Sequence, residues 1–154
     1  MRQPSPELLL EALAESLQTM AFICPEPVTE EMPAPAAADC VTVRWSGDAT
    51  GELQLATPRA FAENLAASIL ALEPGSPEAA QRAGDALQEL CNITTGALLS
   101  RLCDQPTDSP EMGLPTSSVL PDAEAWRRFI SQPQTSVLMA EGCLLAVRIQ
   151  ESPT

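Results

Sequence analysis

Apolar positions along the chain follow two rhythms in turn. In PELLLEALAESLQTMAF, opening at Ser5 or Pro6, Leu9, Leu13, Leu17 and Met20 recur at helical spacing, which predicts an amphipathic helix. The prolines of CPEPVTEEMPAPAAAD cannot continue it, so residues 25–38 read as an acidic surface connection and a candidate mobile loop. The rhythm then changes to a period of two. Val41, Val43 and Trp45 alternate with Thr42 and Arg44, and Leu53 and Leu55 with Glu52 and Gln54, which predicts two antiparallel strands joined across SGDATG. Thr57 and Pro58 read as an N-cap and first-turn pair for RAFAENLAASILAL, whose Phe61, Leu65 and Ile69 face inward. EPGSP stops that helix. Ser76 and Pro77 open a third one, reaching to about Cys103, with Leu87, Leu90, Cys91, Leu98 and Leu102 on its buried side.

Beyond the polar loop DQPTDSPEMG, LPTSSVLP reads as extended and Asp122 as the cap of a short helix, AEAWRRFI. TSVLMAEG and CLLAVRIQ read as a hairpin turning at Glu141–Gly142, with Cys143, Leu145, Val147 and Ile149 on one face. The tail, residues 151–154, reads as loose. Strands with one apolar face need a helical cover. The fold class is therefore α/β: a two-layer sandwich with a largely antiparallel sheet of five or six strands covered by helices, built as a single domain over residues 1–154.

Composition narrows the function. A formal charge of -13 opposes binding to nucleic acid or to an anionic membrane, which need clustered Lys and Arg, and favours a protein partner with basic contact residues. There is no histidine, and none of the five cysteines forms a CxxC pair, which argues against a metal site. An odd count of cysteines in apolar contexts fits reduced core thiols, and no export signal or membrane-spanning run is evident, so a cytoplasmic protein is expected.

One stretch of the third helix stands apart. In DALQELCNITTG, Asp85, Glu89, Asn92 and Gly96 advance by whole turns and line one face, away from the leucines. A charged helix stripe is ordinarily a solvated face. Here, however, Asn competes with its own backbone for hydrogen bonds, and Gly costs about 0.5–1 kcal/mol relative to Ala in a helix interior. Two unfavourable residues on one exposed face suggest an amide to be presented and a flat spot for an approaching surface.

The pattern D-x3-E-x2-N, with Pro115 after twenty-two intervening residues, resembles the signature of the CheC/CheX family of chemotaxis phosphatases, and the order of elements is CheX-like over nearly the whole chain. The first helix carries a related text. EALAESLQTMAF aligns without gaps beneath DALQELCNITTG, matching Glu11 with Asp85, Glu15 with Glu89, Gln18 with Asn92 and Phe22 with Gly96. The chain thus reads as two pseudo-symmetric halves, as CheC-like proteins do. A bulky Phe22 one turn past the amide, with Val41 where a matching proline would stand, marks the first stripe as degenerate; Phe22 equally reads as a core anchor closing the first helix.

The resemblance implies a phosphatase that stimulates hydrolysis of the aspartyl phosphate of a CheY-type response regulator. Asn92 would insert beside the phosphate and orient the attacking water. Glu89 would bond the regulator's active-site lysine. Asp85 would contribute to docking, Gly96 would permit close approach, and Pro115 would shape the neighbouring loop. The chain would need no cofactor of its own, magnesium being expected on the regulator. Family relatives also imply a possible homodimer through a sheet edge. The competing readings are a non-catalytic regulator-binding or flagellar-switch-type adaptor of the same fold, and a generic acidic interaction domain with an accidental match.

Overall fold

The computed structural model describes residues 2–152. Helix α1 (Pro6–Ala21) starts where Ser5 Oγ accepts the Leu8 amide at 3.3 Å, and Phe22 closes it in the left-handed conformation, φ 57°. Strands β1 (Glu26–Pro27), β2 (Ala38–Ser46) and β3 (Thr50–Thr57) precede α2 (Arg59–Leu70). Helix α3 (Pro77–Leu102) follows, its first turn capped by Ser76 Oγ on the Ala79 amide at 3.2 Å. Then come β4 (Glu111–Met112), β5 (Thr116–Leu120), α4 (Ala123–Ile130), β6 (Thr135–Ala140) and β7 (Cys143–Ser152). Asp122 caps α4, accepting the Ala125 amide at 2.8 Å. Glu141 and Gly142, both at positive φ, make the tight turn between β6 and β7. Among the described residues no helix is long and apolar enough to cross a membrane.

All strand pairs are antiparallel, in the order β1-β6-β7-β3-β2-β4, with β5 sharing the β2 edge with β4. Exchanging the two halves of the chain (β1 for β4–β5, β2 for β6, β3 for β7) reproduces this order read backwards. The sheet therefore carries the pseudo-symmetry of the two aligned helix texts, with its axis between β3 and β7. α1 and α3 pack side by side on one face with α2. Their Leu9, Leu13, Leu17, Phe61, Leu65, Leu87, Leu90 and Leu98 meet Val41, Val43, Leu53, Leu55, Leu145, Val147 and Ile149 in the main core. α4 departs from the symmetry by lying on the reverse face. There Trp126 and Phe129 cover Ala38, Cys40, Ala56, Leu144 and Ala146, with Met32 and Ala34 of the acidic segment alongside.

Several expectations change. The sheet has seven strands rather than five or six, because the two-residue pairings of β1 with β6 and of β4 with β2 are too short to show a period. Residues 25–38 are accordingly more than a connection: β1 lies within them, as do Met32 and Ala34, which pack beside α4 on the reverse face. Thr57 does not cap α2. Its hydroxyl instead donates to the Leu144 carbonyl at 3.0 Å, and Pro58 precedes the helix without a side-chain cap. Glu151 and Ser152, expected in a loose tail, complete β7 opposite Gly51 and Thr50; the rest of that tail, residues 153–154, lies outside the described residues.

Of the cysteines, Cys24 is exposed rather than in the core, whereas Cys40 and Cys91 are buried. Burial, helped by the nearby Cys40, pushes the Cys91 thiol up to about 12, and burial also raises Cys40 and Cys143. Since the thiolate is the reactive form, a thiol reagent at mildly alkaline pH should label Cys24 promptly and Cys40 and Cys91 only after denaturant is added. Prompt labelling of all five thiols in the native protein would contradict this packing.

Candidate functional site

α3 is long because no proline interrupts residues 78–102 and its inner face is a continuous apolar stripe. The outer face carries the predicted stripe. Asp85 and Glu89 are exposed, while Asn92 and Gly96 are half-buried as the helix meets the edge of the sheet. Asp85 Oδ2 lies 3.7 Å from Arg82 Nη1 across a solvated surface, a weak pairing. Among the described residues neither the Glu89 carboxylate nor the Asn92 amide has a hydrogen-bond or ion-pair partner. A β-carbon added to Gly96 would stand 3.8 Å from Met112 Sδ, an ordinary contact. Internal packing therefore does not require glycine here.

The edge segment runs alongside this stripe. Gln88 Nε2 donates to Ser117 Oγ at 2.7 Å, and Gly96 faces Met112, so residues 113–116 pass the turn of α3 that carries Asn92. Here the edge is bulged. β2 takes three steps from Trp45 to Thr42, while the edge takes four from their partners Met112 to Thr116. The extra residue throws Leu114 out to 89% exposure. Gly113 N holds one side of the bulge, donating to the Arg44 carbonyl at 2.8 Å. Pro115, which has no amide hydrogen to leave unpaired, fits on the other side. The twenty-two-residue spacing thus brings Pro115 to the level of Asn92.

The corresponding stripe of α1 differs. Arg101, in the last turn of α3, pairs with Glu15 and lies 3.9 Å from Glu11 Oε2. Gln18 Oε1 accepts from Cys24 Sγ at 3.0 Å. Phe22 is 85% exposed, so its reading as a core anchor is overturned: the ring projects one turn beyond Gln18. Of the two acids of this stripe Glu15 is closely paired and Glu11 only weakly, and the amide is engaged. Gln88 and Arg101 were not singled out in the sequence, because their partners Ser117, Glu11 and Glu15 are far away along the chain. Among the described residues no group of three or more His, Cys, Asp or Glu side chains is placed to hold a metal ion.

A family model described as chemotaxis phosphatase CheX matches residues 40–124, more than half the chain. The fold resembles the chemotaxis protein CheX from Desulfovibrio desulfuricans (TM-score 0.67, 14% identity, 95% of this chain and 97% of that one). It also resembles a CheX–CheY–BeF3–Mg complex from Borrelia burgdorferi (TM-score 0.63, 17% identity, 99% and 100%). A further likeness is to FliY from Thermotoga maritima (TM-score 0.57, 12% identity, 93% and 86%). At such identities the likeness is one of fold. No curated protein matches the sequence.

Proposed function

Because the chain belongs to the CheX family of chemotaxis phosphatases, we propose that it accelerates hydrolysis of the aspartyl phosphate on a CheY-type response regulator, with Glu89 and Asn92 as the working pair. The observation that carries this is the contrast between the two stripes. On α1, Arg101 pairs with Glu15 and lies near Glu11, whereas among the described residues Glu89 and Asn92 have no partner.

An aspartyl phosphate is an activated acyl phosphate, and its hydrolysis is governed by positioning and electrostatics. The Asn92 amide both donates and accepts hydrogen bonds at any ordinary pH. It holds a water in line with the scissile P–O bond. The water oxygen bonds to phosphorus, the acyl oxygen leaves as the aspartate carboxylate, and the water's proton passes to the released phosphate or to solvent. Glu89 forms a charge-assisted bond with the regulator's active-site lysine and fixes the depth of α3 over the phosphate. Asp85 adds a docking charge, Gly96 lets the two backbones approach, and Pro115 shapes the bulge beside the amide. Magnesium held on the regulator would supply charge neutralisation at the phosphoryl oxygens, and the proposed mechanism needs no cofactor on this chain.

The test is the decay of a phosphorylated CheY-type regulator from the same organism, with and without the protein. Faster decay is expected. In the Glu89→Ala variant the half-saturating regulator concentration should rise by about tenfold or more, the loss of one charge-assisted bond. Binding without acceleration would favour the adaptor reading, and unchanged regulator binding by Glu89→Ala would remove its docking role.

A further inference from the structure

Beside the reactive stripe lies an open groove of about 630 Å³ between the end of α2 and the first half of α3. Its floor is apolar: Ile69, Leu70 and Leu72 from α2 and the turn after it, with Ala86 from α3. Leu70 is 49% exposed, whereas Phe61 and Leu65 of the same helix are buried in the core. The rim carries Glu78, Asp85 and Glu89 against one cation, Arg82, which already faces Asp85. Three carboxylates around an apolar floor select an apolar side chain flanked by basic residues. They also repel a second copy of a chain whose formal charge is -13.

We propose that this groove is the docking pocket for the response regulator. It would take an apolar side chain from a basic surface of the regulator while the adjoining Glu89 and Asn92 address its phosphate. This rests on the phosphatase reading for the partner's identity. Glu89 belongs to both the groove rim and the reactive stripe, so the packing of α2 against α3 sets the distance between anchor and chemistry. An apolar anchor within an acidic rim divides the work: burial sets the lifetime of the complex, and charge sets the rate of encounter.

The experiment uses Leu70→Gln, which keeps the bulk of the side chain but opposes burial, and Leu70→Met as the conservative control. Circular dichroism checks the fold of both. Decay of the phosphorylated regulator is followed over a range of its concentrations, and binding of the beryllofluoride-loaded regulator is measured by calorimetry. Leu70→Gln should raise KM and Kd together by about tenfold or more while kcat stays within about twofold, and Leu70→Met should restore affinity. If the wild type binds without accelerating decay, the phosphatase reading fails, yet a tenfold weaker Kd for Leu70→Gln still supports the groove. An active wild type with unchanged KM and Kd in Leu70→Gln overturns the groove alone. Self-association abolished by Leu70→Gln, with regulator binding intact, overturns it in favour of a second copy.

Discussion

Replacing Asn92 by alanine should abolish the stimulated decay of the phosphorylated regulator, to about a hundredth of the wild-type rate or less, and should leave the protein at least as stable. The two expectations have separate origins. In the proposed mechanism Asn92 positions the attacking water, and its loss would remove a contribution of the size seen when one oriented donor is deleted from an active site, roughly 100- to 1000-fold. Stability moves the other way. The Asn92 side chain has no partner among the described residues, so nothing is orphaned, and Ala is favoured over Asn in a helix interior by up to about 0.7 kcal/mol. A functional residue placed against local preference predicts this pairing of lost activity with equal or higher melting temperature. Asn92→Asp sharpens the test. It keeps the shape but removes the donor and sets a negative charge against the phosphate, so it should be as inactive as alanine. Turnover near wild type in either variant, or a loss of activity that tracks unfolding, would remove Asn92 from the chemistry.

What was legible in the sequence is what a period can encode. Leu9, Leu13 and Leu17 on α1, and Val41, Val43, Leu53 and Leu55 on the central strands, announce both element type and buried face. The stripe on α3 was legible for the same reason, since spacing at whole turns is a statement about one helix. Contacts between distant segments were not. β1 is two residues of a Pro-rich stretch, and its strand identity is conferred by β6 rather than by its own text. Thr57 looked like a cap because Thr-Pro before a helix usually is one, but a carbonyl on β7 took its hydroxyl instead. The reverse-face placement of α4 depends on where Trp126 finds an uncovered apolar patch.

The candidate site divides in the same way. Asp85, Glu89, Asn92 and Gly96 could be found from spacing. The bulge that sets Pro115 beside them needs the strand register, and the clamp on the α1 stripe needs Arg101 to arrive from the end of another helix. That pairing adds a physical argument, beyond the bulk of Phe22, for reading the first stripe as degenerate. A carboxylate already paired with a guanidinium within the chain must give up that pairing before it can meet a partner's lysine. α1 and α3 thus occupy equivalent positions over a palindromic sheet, and an ion pair between Arg101 and Glu15 joins them.

Gly51→Ala should be strongly destabilising for a methyl-sized change, by about 1–3 kcal/mol, the usual cost of overpacking a filled core. A β-carbon on Gly51 would stand 2.5 Å from Trp45 Cζ2 and 2.8 Å from the Gln150 carbonyl oxygen. Neither neighbour can give way easily. Trp45 is 1% exposed and lies across from Gly51 on β2, and the Gln150 carbonyl belongs to the paired backbone of β7. The indole covers the glycine, filling the space that a missing side chain leaves in the sheet. The same tryptophan pairs on its other edge with Met112, the residue that faces Gly96. A displaced ring would therefore be felt at the bulge beside Asn92 as well as in the core. Thermal unfolding should show the loss at roughly 2–4 °C per kcal/mol for a chain of this size. The cause can be isolated with Trp45→Leu, which is itself costly because it empties the space over Gly51. In that background Gly51→Ala should cost much less, because the added methyl has room, so the two substitutions should be clearly non-additive. Additive losses would mean that the strain at Gly51 comes from the β7 backbone and not from the indole.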